Sequence, residues 1–142
     1  MALYKLEELV AYQLSLELKK RVFDLLYNSP AARDAKLAGQ ISDAASSLPS
    51  DIAEGFYRFS PAEFAHFVKY ARSSLQEVRT RLPDGVAKGY YAATDIDDLM
   101  KLADRLSKVL GGLYFSLRRQ AEARRGKKGE PRPPRPRPHR PR

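Results

Sequence analysis

The sequence predicts an all-α protein, an antiparallel up-down four-helix bundle followed by a disordered, basic, proline-rich carboxy-terminal tail. Three observations carry this reading. Four segments space their apolar residues by threes and fours, the pattern of one helix face. Their connections are short and no stretch alternates apolar and polar residues as a half-buried strand does. Charge is segregated: from Arg118 to Arg142 eleven Lys and Arg stand against two Glu, a net +9 that equals the charge of the whole 142-residue chain. The body through Leu117 is therefore neutral, and the tail holds the imbalance.

In the first segment Leu6, Val10, Leu14, Leu18, Val22 and Leu25 form the apolar face. Asn28-Ser29-Pro30 stops it. The second carries Leu37, Ile41, Ala45, Leu48, Ile52 and Phe56. Pro49 lies inside it and predicts a kink, because the missing N–H frees the Ala45 carbonyl. Gly55 marks its last turn.

The third segment opens on Ser60 as cap, Pro61 at the first helical position and Glu63 to complete a capping box. Phe64, Val68, Ala71, Leu75, Val78 and Leu82 then form a bundle seam. Pro83-Asp84-Gly85 should break or sharply kink this helix. The fourth starts near Thr94, with Asp95, Asp97 and Asp98 at the positive end of the helix dipole. Its seam is Ile96, Leu99, Ala103, Leu106, Leu110, Leu113 and Leu117. Gly111-Gly112 inside it costs about 1 kcal/mol per glycine relative to alanine. Close approach of another helix, within or between subunits, would offset that. The expected division is a bundle over residues 1–119 and a tail over 120–142.

Composition narrows the function. No cysteine is present, so disulfides and thiolate metal sites are excluded. The start of the chain lacks the apolar core of a signal peptide. No apolar run approaches the ~18 residues of a membrane span. A cytoplasmic protein that does not engage membranes is expected. His66 and His139 stand alone, and a helix start accounts for the Asp95 cluster. No catalytic, cofactor or metal residues are assigned, and an enzyme is not expected.

The stretch Leu48-Pro49-Ser50-Asp51-Ile52-Ala53-Glu54-Gly55-Phe56, the Ser60 cap with Glu63-Phe64, Ala71-Arg72-Ser73-Ser74-Leu75-Gln76-Glu77, Lys88-Gly89-Tyr90 and Leu110-Gly111-Gly112-Leu113 together resemble the four-helix-bundle family of 23S ribosomal RNA intervening-sequence proteins. The likeness spans Tyr4 to about Arg118. It implies an antiparallel bundle and a ring-shaped homopentamer, encoded within an rRNA intervening sequence. It also implies a relation to the accessory variability determinant of diversity-generating retroelements, a nucleic-acid-binding partner of reverse transcriptase. No catalytic residues come with the family. Pro83-Asp84-Gly85 and the long tail depart from its pattern.

The tail carries the functional expectation. Its cations are Arg118, Arg119, Arg124, Arg125, Lys127, Lys128, Arg132, Arg135, Arg137, Arg140 and Arg142, the last five interleaved with prolines that favour an extended rod. Cations so spaced can each reach a phosphate of RNA or single-stranded DNA, and arginine stacks on unpaired bases. Lys69, Arg72 and Arg79 add a basic stripe on the third helix, beside a second of Lys101, Arg105 and Lys108. The alternative is a protein-interaction scaffold whose tail binds an acidic or SH3-like partner. Tyr57, Phe59, Tyr90 and Tyr91 fall at predicted corners, where packing is the first explanation and base stacking the second.

Overall fold

The computed structural model describes residues 5–126. Helices α1 (Val10–Tyr27), α2 (Ala35–Phe56), α3 (Pro61–Ala87) and α4 (Ala93–Gly126) follow one another, with short 3-10 turns at Leu6–Glu8 and Pro30–Arg33. Each packs on its neighbour in the chain, and α1 closes against α4. This is the up-down bundle, with no strand among the described residues. The α1–α2 and α3–α4 connections share one end, here the base. The α2–α3 corner, the start of α1 and the end of α4 share the other, the mouth.

The predicted seams form the core. Leu18, Val22, Ile41, Leu48, Ile52, Val68, Val78, Leu82, Leu106 and Leu110 are sealed from solvent. Truncating one of the leucines to alanine should cost about 2–5 kcal/mol. On α1 the register differs slightly: Val10 is exposed, and Leu26 rather than Leu25 reaches the centre. Ser60 caps α3 by accepting from the Glu63 N–H at 3.4 Å, but Glu63 returns no bond to the cap. Gly55 is a contact glycine. A Cβ there would stand 2.8 Å from both Phe64 and Phe67, so its bare backbone lets α3 leave α2 at a close angle.

One expected alternative is corrected. Pro83-Asp84-Gly85 does not break α3, which continues to Ala87. Pro83 is exposed, so the Arg79 carbonyl it deprives of a partner can turn to water. The next carbonyl of that turn on the buried side, that of Leu82, accepts the Tyr91 hydroxyl at 2.6 Å. At the other end, α4 reaches Gly126. Gln120, Ala121, Glu122 and Ala123 favour helix, Ala121 is buried, and Arg124 and Arg125 sit at the negative end of the dipole. Residues 127–142, where most of the tail lies, are outside the described residues.

Candidate nucleic-acid interface

The structure divides the sequence-predicted basic residues into three groups. The α3 stripe is partly committed to α4. Arg79 donates from Nη2 to Asp104 Oδ1 at 2.6 Å, which neutralises it. Arg72 lies over the rings of Tyr114 at 5.3 Å and Phe115 at 6.0 Å; it keeps its charge, held in place by the rings. Lys69 is exposed one turn away. On α4, Lys101, Arg105 and Lys108 are exposed and pair with no described acid.

The second group is at the end of α4. Arg118, Arg119, Arg124 and Arg125 are all exposed. Arg118 and Arg125 share a face two turns apart, about 10.5 Å along the axis. Leu117 and Ala121 are the buried residues of this segment. The third group, Lys127, Lys128, Arg132, Arg135, Arg137, Arg140 and Arg142, lies outside the described residues.

The corner aromatics separate by role. At the base, Tyr90 and Tyr91 are structural. Asp34 caps α2 through the Leu37 N–H at 3.1 Å, and also accepts from Tyr90 Oη at 2.7 Å and Lys88 Nζ at 3.0 Å. These bonds, that from Tyr90 foremost, lower the Asp34 carboxyl to about 2. The same contact pushes the Lys88 ammonium and the Tyr90 hydroxyl upward. Tyr91 is pushed up to about 12, chiefly by burial and then by the nearby Asp84 carboxylate. Sequence reasoning missed this cluster because its members are far apart in the chain, though Asp34 before Ala35-Lys36-Leu37 is a legible cap.

A hollow of about 390 Å³ at the base is lined by Asn28, Ser29, Tyr90, Tyr91 and Asp95 among others. Asn28 donates to the Asp24 carbonyl, Ser29 accepts from the Ala31 N–H, and Asp95 accepts from the Ala92 N–H. Each of these side chains thus makes a hydrogen bond within the fold. Side-chain hydrogen bonds between helices all fall in this half: Tyr27 with Ser42, Arg81 with Gln40, Arg79 with Asp104, and the Tyr90, Tyr91 and Lys88 bonds. The mouth has none among the described residues.

At the mouth, Tyr57 and Phe59 are exposed instead of packed, Phe59 by 86%. A shallow groove of about 190 Å³ lies between the α2–α3 corner and the end of α4, lined by Phe56, Phe59, Phe64, Leu117, Gln120 and Arg124 among others. Arg58 pairs with Glu54 at 2.6 Å and lies 5.1 Å over the Phe67 ring. His66 and Tyr70 stack edge to face at 4.7 Å on the flank of α3. No group of three or more His, Asp or Glu that could hold a metal ion occurs among the described residues. No described helix is long and apolar enough to cross a membrane.

The predicted explanation for Gly111-Gly112 is corrected as far as the single chain is concerned. A Cβ at either position would meet nothing within 4 Å, so no helix of the same bundle approaches them. They lie on an open face beside Phe115, which is 57% exposed.

Comparison with known families matches residues 7–112 to the 23S rRNA-intervening sequence protein. No curated protein matches the chain.

Proposed function

We propose that this chain, which belongs to the 23S rRNA-intervening sequence protein family, is a non-enzymatic accessory protein that binds RNA or single-stranded DNA in the cytoplasm. One observation carries the reading: the net charge of +9 is confined to the residues from Arg118 onward, while the bundle before it is neutral. A neutral bundle gives a polyanion little to bind. A dense arginine and lysine run releases counterions from phosphates whatever the base sequence. The bundle acts as a hub, residues 127–142 as the principal arm, and the exposed arginines ending α4 as its root.

The hub is proposed to be a homopentameric ring. The open Gly111-Gly112 face next to Phe115 supports this, since a helix of a second copy would account for glycines that the single bundle leaves unexplained. Five arms on one ring raise avidity without any new contact. A place beside a reverse transcriptase in a diversity-generating retroelement, or within an rRNA operon, follows as the biological setting. A neighbouring reverse-transcriptase gene selects the first and flanking rRNA genes the second.

Filter binding of labelled RNA across a salt series tests the reading, comparing the full chain with one ending at Gly126. Retention that falls steeply with salt and weakens on truncation is expected. Lack of retention at low salt would replace it with a scaffold whose arm binds an acidic or SH3-like protein.

A further inference from the structure

The mouth of the bundle carries a feature that the fold does not require. Phe59 has φ +56°, in the left-handed region that a bulky side chain adopts only under constraint. The backbone there has a reason: the chain must reverse from α2 into α3, and Ser60 before Pro61 is confined to extended geometry. The residue type has none. Glycine or asparagine would hold this turn with less strain, and the Phe59 ring recovers nothing by burial, being 86% exposed. Strain spent on displaying an aromatic ring points to a ligand for that ring.

The surroundings narrow the ligand. Besides Phe59, the groove is lined by Phe56, Phe64 and Leu117 and by the polar Gln120 and Arg124, among others. Its one charged lining residue is a cation, and no carboxylate lines it. Aromatic and aliphatic surface, an amide for edge hydrogen bonds and a single arginine complement a planar heterocycle attached to a phosphate. The location agrees. Arg124 is within the last turn of α4, so the groove lies where the basic arm departs.

We propose that this groove is a stacking site for an unpaired nucleobase, with Phe59 as the platform and Arg124 on the adjoining phosphate. The proposal rests on the nucleic-acid reading above and deepens it, because it commits the protein to single strands. A duplex keeps its bases stacked on one another and offers the groove nothing. Base–aromatic stacking tolerates any sequence, which suits binding without base-edge recognition.

The test uses the full-length protein, a labelled uridine oligomer and an RNA duplex of equal length, with fluorescence anisotropy at fixed salt. Phe59→Gly retains the turn and relieves its strain, so the folded state is expected to be at least as stable as the wild type. Its affinity for the single strand should fall roughly tenfold, a typical loss for one stacked base, while duplex affinity stays the same. A 2-aminopurine placed in the oligomer should be quenched by the wild type and less so by Phe59→Gly. Equal single-strand affinity in the two proteins would overturn the stacking site while leaving the arm's binding intact. So would a parallel loss on the duplex, or a lowered assembly mass by light scattering, which would mark the patch as a contact between copies. A wild type that binds neither probe at low salt would overturn the parent reading as well.

Discussion

Tyr91 occupies the space that a side chain at Gly85 would need. A Cβ on Gly85 would overlap the tyrosine ring, and the hydroxyl continues past it to donate to the Leu82 carbonyl at 2.6 Å. Tyr90, its neighbour, turns the other way and donates to Asp34 at 2.7 Å. Two adjacent tyrosines thus fasten the α3–α4 corner to α3 on one side and to the start of α2 on the other.

Gly85→Ala should therefore be destabilising although alanine is the better helix former. Overpacking a buried contact costs about 1–3 kcal/mol. Urea unfolding followed by circular dichroism measures it, and an unchanged midpoint would mean that Tyr91 is not held where it stands.

Tyr91 also predicts an alkaline dependence. Its hydroxyl is raised from 10.0 to about 12 by burial first and the Asp84 carboxylate second. A raised folded value means that the stabilising contribution is complete below the unfolded value. It is then lost as pH climbs through about 12. Tyrosinate absorbance should show one hydroxyl titrating late in the folded protein. Tyr91→Phe should abolish that late step and cost about 1 kcal/mol at neutral pH, since the Leu82 carbonyl loses its donor.

Asp34 sets the acid limb. Its carboxyl is lowered from 3.8 to about 2 by Tyr90, the Leu37 N–H and Lys88. A lowered folded value means that the contribution is present above the unfolded value. It disappears as pH falls from about 4 toward 2. Unfolding midpoints across that window should drop for the wild type and drop less for Asp34→Asn. Matching slopes would show that the cluster does not form in solution.

Substituting Gly111 or Gly112 by alanine separates the single bundle from an assembly. Within one chain the added methyl meets nothing, so helix propensity alone should raise stability by up to about 1 kcal/mol per site. If a second copy packs closely there, the methyl interferes and light scattering should report a smaller particle. A more stable protein of unaltered mass would remove this face from the proposed ring.

Ending the chain at Gly126 removes seven lysines and arginines: 127, 128, 132, 135, 137, 140 and 142. If each meets one phosphate of a single strand, the slope of log affinity against log salt should flatten by up to about 5. A slope that does not change would place binding on the bundle wall, at Lys69, Arg72 and the α4 stripe.

The seams were legible because each depends on spacing within one helix, and Leu48, Val68 and Leu106 stand where periodicity puts them. What depends on partners distant in the chain was not. Pro83 reads as a break or a sharp kink in one dimension. The structure places it on the exposed side of a helix whose buried side is held by Tyr91. Along α4 the apolar spacing stops at Leu117, while propensity and the dipole carry the helix onward to Gly126. Asp34 was an overlooked cap, and its second role needs Lys88 and Tyr90. The tyrosines and Phe59 share one composition signal, yet the base packs its pair and the mouth displays Phe59. Only the contacts of α3 and α4 decide between those fates.

The uneven distribution of polar fasteners makes the molecule a sheaf tied at the foot. Around Asp34 and Tyr91 the four rods are clamped to one another. Toward Phe59 no side-chain hydrogen bond joins one rod to another among the described residues, so a slight splay there would break no such directional bond. The foot meanwhile keeps the rods in register.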